Sequence, residues 1–210
     1  MKEEIIEKSL QLFLKHGLRE MSNQKLVEQL GISTKTVYKY FKNKEELLED
    51  VLQLYHGIQY KKLEALPTQQ NAASLFFDVW RIALDMEYTI NKDFYHDLHY
   101  YYPDLERKVN AIIGGKFERF FISIIKKGIE QQNFRQEIPP ELALKSVLVL
   151  LQAVVRTDEF NNLGLTTTDL LLNTITPYIR GMCTIQGVRA LDEHILVSTT
   201  ATQAMAGLNL

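Results

Sequence analysis

An all-α protein is what this 210-residue sequence predicts. Apolar residues recur at helical spacing almost throughout, no stretch alternates convincingly as a strand would, and neither an internal repeat nor a low-complexity tract interrupts the pattern. At 46% hydrophobic residues the chain can bury a substantial core.

The first helix is expected from Lys2 to Lys15, with Ile6, Leu10, Phe13 and Leu14 on one face and Gly17 supplying a left-handed residue at its end. Ser22 can cap a second helix that buries Leu26, Val27 and Leu30 before Gly31 breaks it. Ser33 can cap a short third helix from Thr34 to about Phe41, with Thr34, Val37 and Phe41 inward. Asn43 with Glu46 resembles a capping box and opens a fourth helix that carries Leu47, Leu48, Val51, Leu52 and Tyr55 towards Ala65. Pro67 ends it, and no flexible linker separates the third helix from the fourth.

Further helices are expected at about 72–90, 92–101, 103–132, 140–158 and 167–181, with turns at Asn133 to Pro140 and at "NNLGLTTTD", 161–169. Leu144, Val147, Leu148, Leu151 and Val155 form a broad apolar stripe that suits either the chain's own core or a second copy. The pattern fades after "GMCTIQG", and no element is assigned to "VSTTATQAMAGLNL".

Charge is uneven. Lys15, Arg19, Lys25, Lys35, Lys39, Lys42 and Lys44 face only Glu20 and Glu28 between residues 15 and 44, in a chain of formal net charge -2. A basic N-terminal surface on an acidic body suits a local polyanion contact. Helix, the turn Gly31-Ile32-Ser33 and a short helix give the layout of a helix-turn-helix. Its outward face would hold Lys35, Thr36, Lys39 and Tyr40, with Thr34 at one end and Tyr38 on the flank, and such a helix fits a major groove. Lys44 opens the fourth helix, where the macrodipole already favours a phosphate.

These stretches, "LQLFLKHGL" at 10–18, "SNQKLVEQLGIS" at 22–33 and "TKTVYKYFKNKEELL" at 34–48, resemble the N-terminal DNA-binding domain of the TetR family of bacterial transcriptional regulators. Val27 departs from the usual alanine and Asn23 from a frequent threonine. The resemblance implies a helix-turn-helix domain at 1–46, joined to a larger helical effector-binding and dimerisation domain at 47–210. It implies Thr34, Lys35, Thr36, Tyr38, Lys39 and Tyr40 on the DNA-facing helix, with Ser22, Asn23, Gln24 and Lys44 on phosphates. The partners it implies are double-stranded, palindromic operator DNA, a partly apolar small-molecule effector, and a second copy paired through the helices at about 140–158 and 167–181. Repression relieved by the effector is the expected function, with the fourth helix as lever, and a regulator controlled by a protein partner is the alternative.

The aromatic run at 80–106, with Trp80, Tyr88, Phe94, Tyr95, His96, His99, Tyr100, Tyr101 and Tyr102, nominates a region for an effector but no individual contact. His96 and His99 share a helical face near Asp93 and Asp97, which leaves a metalloenzyme as a remote alternative; a site would need a further positioned ligand, and no Glu-x-x-His accompanies them. Nothing identifies a base beside Cys183, and Gly114-Gly115 lacks the Lys-Ser or Lys-Thr of a phosphate loop. No catalysis and no cofactor are expected. One cysteine and an N-terminus unlike a signal peptide point to the cytoplasm, the longest apolar run is too short for a membrane span, and Glu3, Glu4 and Glu7 argue against a membrane surface.

Overall fold

The computed structural model describes residues 1–157, 159–160 and 163–207, with side chains through Ser198. Among these the regular structure is helical, apart from one isolated bridge between Phe134 and Cys183. The chain divides into two compact units, Met1–Glu64 with Met86–Phe117, and Ala65–Asp85 with Glu118–Leu210. No described helix is long and apolar enough to cross a membrane.

In the first unit, α1 (Lys2–His16) packs on α4 (Lys44–Glu64), α2 (Asn23–Leu30) and α6 (Asp93–Tyr101). Its buried face is Ile5, Ser9, Leu10 and Phe13, one position round from the expected stripe, with Ile6 and Leu14 at the margin. Gly17 ends α1 at φ 79 and ψ 168, a positive φ outside the left-handed helical region. A Cβ there would also sit 3.4 Å from Asp93 Cβ and Asp97 Oδ2. All five apolar positions expected on α4 are buried, with Leu48 and Val51 fully so. Each such side chain contributes roughly 1.5–3 kcal/mol relative to exposure. The end of α5 (Ala72–Tyr88) and the start of α7 (Pro103–Glu130) complete this unit, through Ile90, Leu105 and Val109 around the same core.

The second unit contains the rest of α5 and α7, then α8 (Pro140–Arg156), α9 (Thr167–Leu170), a π turn (Leu171–Ile175), α10 (Thr176–Met182) and α11 (Ile185–Gly207). Two expectations change here. The stripe on α8 serves the chain's own core: Leu144, Val147, Leu151 and Val155 are buried, and Leu148 alone is exposed, so the stripe as a whole carries no independent evidence for a second copy. The helix expected at 167–181 runs without a gap from Thr167 to Met182, but it widens into the π turn before Pro177, which cannot donate to the preceding turn; the buried Thr176 hydroxyl donates to Leu171 O at 2.8 Å.

The C-terminal segment is helical through Gly207, where no element was expected, and residues 208–210 lie outside the described residues. Gly187, Leu191 and Ile195, four apart, bury one face of α11. Gly187 lets α11 approach the loop after α7, since a Cβ there would lie 2.0 Å from Asn133 O. That loop is held by Thr184 N donating to Asn133 O and Arg135 N to Met182 O, both at 2.9 Å. His194 Nε2 sits 3.0 Å from the buried Asp78 carboxylate of α5. Of the turn expected at 161–169, Asn161 and Asn162 fall outside the described residues, as does the helix end at 158; Gly164 takes φ 64, and Thr166 caps α9 in a capping box with Asp169. Gly114 lies inside unbroken α7 with open space where a Cβ would stand, so it marks no close contact there.

Candidate nucleic-acid interface

α2, the turn and α3 (Thr34–Tyr38) are built by local signals. Ser22 Oγ accepts from Lys25 N, Gly31 adopts φ 66 and ψ 28, and its N–H returns to Glu28 O at 3.1 Å. Ile32 N donates to Val27 O, and Ser33 Oγ then accepts from Thr36 N at 3.1 Å, so the second helix starts two residues after the glycine. Leu26, Leu30, Val37 and Phe41 are buried between the helices, with Val27 and Ile32 packed at the margin. The apolar side of the pair is thereby fixed, and its other side is polar.

On that other side Thr34, Lys35, Tyr38 and Lys39 are exposed, and Thr36 and Tyr40 half-buried. Thr34 was expected inward with Val37 and Phe41; as the first residue of α3 it faces solvent. Ser22, Asn23 and Gln24 are exposed at the start of α2. Asn23 Nδ2 donates to Tyr38 Oη at 3.1 Å, which brings a residue from each helix together, and Lys39 Nζ lies 5.8 Å from the Tyr40 ring centroid. The Thr36 hydroxyl is 2.9 Å from Ser33 Oγ.

Lys44 differs from its expected place. Its Nζ donates to Leu18 O at 2.6 Å and Met21 O at 2.7 Å, and it lies 5.5 Å from the Phe13 ring centroid. Burial pushes its pKa below the ordinary lysine value, with the Asp97 carboxylate pulling the other way. The ammonium therefore clamps the α1–α2 loop. At the start of α4, Asn43 Oδ1 accepts from Glu46 N at 2.8 Å while Glu46 Oε2 accepts from Lys42 N at 2.6 Å, a variant of the expected box displaced by one residue.

Sequence reasoning missed a second anchor of the same loop. The buried Asp97 carboxylate accepts from Arg19 N at 2.7 Å, and α6 is tied to the end of α1 by Asn91 N donating to Leu14 O at 2.8 Å. The aromatic region separates by role: Trp80 and Phe94 are core, Tyr88, Tyr100 and Tyr101 are exposed, and Tyr95 joins a polar cluster described below. His99 Nδ1 meets Glu106 at 2.9 Å, His96 is exposed beside Tyr100, and no group of three His, Cys, Asp or Glu among the described residues could hold a metal. Burial pushes the Cys183 thiol up to about 12, opposite to what a nucleophile needs.

Residues 5–51 match the family of bacterial regulatory proteins, tetR family. The chain is 36% identical over 63 residues to the uncharacterized HTH-type transcriptional regulator YerO of Bacillus subtilis, covering 30% of this chain and 22% of that protein. It is 32% identical over 79 residues to an uncharacterized HTH-type transcriptional regulator of Haemophilus influenzae, covering 38% and 41%. The match thus spans less than half the length of either curated relative.

Similar solved folds include a protein of Saccharomonospora viridis described as a transcriptional regulator in complex with choline, at TM-score 0.75, 15% identity and 87% and 97% coverage. The TetR family regulator PfmR of Thermus thermophilus gives 0.59, 22%, 80% and 92%. AibR in complex with isovaleryl coenzyme A and operator DNA gives 0.64, 12%, 86% and 97%. Residues 5–51 thus carry the match to the tetR family of bacterial regulatory proteins, and the fold is similar to that of these solved regulators along most of the chain.

Proposed function

We propose that the protein is a sequence-specific transcriptional regulator, a repressor that binds a palindromic operator as a homodimer and releases it on binding a small molecule. The observation that carries the reading is the face of α3, where Lys35, Tyr38 and Lys39 stand exposed opposite the buried Val37. Residues 1–46 do the reading in this proposal, and 47–210 sense and dimerise. Thr34, Lys35, Thr36, Tyr38, Lys39 and Tyr40 meet the major groove, and Ser22, Asn23 and Gln24 meet phosphates. Lys44 positions the loop while the first N–H groups of α4 favour a phosphate.

A five-residue helix reads few base pairs, so two copies with half-sites about 34–36 Å apart, or a multiple, give the specificity one lacks. With the inner stripe of α8 buried, the dimer reading rests on its outer face, where Leu142 and Val149 are 60% and 64% exposed. The effector reading draws support from relatives solved with choline and with isovaleryl coenzyme A, whose chemistry differs enough that neither is carried over. Selection from a random duplex library at moderate salt tests the proposal. Enrichment of one palindrome is expected, and equal, salt-sensitive retention of all sequences would contradict it.

A further inference from the structure

Within the first unit, Glu87 at the end of α5 has its two carboxylate oxygens in unlike surroundings. Oε1 accepts from Tyr55 Oη at 3.0 Å, Gln59 Nε2 at 2.9 Å and Tyr95 Oη at 2.9 Å. Oε2 is sealed from solvent and has no hydrogen-bond partner. Three donors gathered on one oxygen suit a carboxylate. A buried anionic oxygen without a partner is costly, and no Lys or Arg pairs with Glu87 among the described residues.

The surroundings are aromatic. The His56 ring is 5.3 Å from that of Tyr55 and 6.3 Å from that of Phe117, and Phe117 meets Tyr60 edge-on at 5.4 Å. Lys116 Nζ sits 3.6 Å from the Tyr60 centroid, so an ammonium already rests on one of these rings. His56 does not supply the missing charge, because burial holds its pKa below the ordinary histidine value and keeps the imidazole neutral at neutral pH.

We infer that this cluster binds a ligand bearing a protonated primary or secondary amine on a small apolar body, with its N–H on Glu87 Oε2 and its body against the rings of Tyr55, His56 and Phe117. Such a cation supplies both the missing donor and the missing charge, whereas a neutral donor supplies only the first. The inference deepens the effector reading and rests on it for the consequence at DNA.

Titration calorimetry of the full chain without DNA tests it, with 2-phenylethylammonium as probe and 2-phenylethanol as its neutral counterpart. The ammonium should bind about tenfold or more tightly than the alcohol, and Glu87→Gln should weaken the ammonium about 10- to 100-fold while leaving the alcohol unchanged. Glu87→Asp, which keeps the charge but withdraws it, should give an intermediate loss. Equal binding of ammonium and alcohol by the native chain, no binding of the ammonium, or undiminished binding by a folded Glu87→Gln would overturn the inference. Operator binding is measured separately with the same probe. Binding of the ammonium without release of DNA would uphold the site and remove its effector role; release of DNA by other molecules, with no amine bound, would uphold the effector reading and remove the site.

Discussion

The carboxylate of Asp97 accepts a hydrogen bond from the backbone N–H of Arg19 at 2.7 Å, across 78 positions of sequence. This joins α6 to the loop that precedes the helix-turn-helix, and Lys44 grips the same loop through Leu18 O and Met21 O. The loop is thus held from two sides. A displacement of α6 would reach α2 through this contact, which makes α6 a second connection beside α4 in the proposed release of DNA.

Asp97→Ala should leave Arg19 N unsatisfied and cost about 1–3 kcal/mol of stability. Operator affinity should fall although Asp97 is buried and touches no DNA-facing side chain. Denaturant unfolding and an operator titration on the same variant check both effects.

Lys44 and Lys39 should separate. Lys39→Ala, on the exposed face, should reduce the slope of log affinity against log salt by about 1 and leave stability within about 0.5 kcal/mol. Lys44→Met removes two charge-assisted bonds to carbonyls and should cost about 1.5–3 kcal/mol, with a smaller change of slope. Thermal melting alongside salt-dependent binding distinguishes the two.

On α8 the buried and exposed faces predict opposite outcomes. Val155→Asp places a charge in the second unit's core and should cost about 3 kcal/mol or more, unfolding the chain. Val149→Asp, on the exposed face, should leave the melting temperature nearly unchanged and convert dimers to monomers in sedimentation.

His56 gives a pH dependence of stated sign. Burial lowers its pKa in the folded chain, so between the unfolded value of about 6.5 and the lower folded value the unfolded chain binds more protons. Stability should therefore fall as pH drops below about 6.5, and level off once pH passes the folded value. Replacing His56 by Gln, which keeps a polar side chain beside Gln59, should flatten that part of the stability curve in urea unfolding.

The helix-turn-helix was legible because its determinants are local: Ser22, Gly31, Ser33 and Asn43 act within a few residues of where they stand, and the apolar spacing of Leu26, Leu30 and Val37 is read directly. What joins distant segments was not. Neither Asp97 with Arg19 nor Glu87 with Tyr55, Gln59 and Tyr95 leaves a spacing signal, since each group joins separate segments of the chain: α6 with the α1–α2 loop, and the end of α5 with α4 and α6. Helix α11 was hidden because only Gly187, Leu191 and Ile195 carry its buried face, followed by Thr- and Ala-rich turns with little contrast. The stripe on α8 was seen correctly but fitted two partners, and the choice between them needed the packing of the second unit.

The most direct test of the central claim is binding of the native chain and of Tyr38→Ala to a selected palindrome and to a scrambled duplex of equal length, across a range of salt. The native chain should prefer the palindrome by about 10³-fold or more, and Tyr38→Ala should shrink that preference while leaving binding to the scrambled duplex nearly intact. Equal affinity for both duplexes, with Tyr38→Ala indistinguishable from the native chain, would contradict sequence reading by α3.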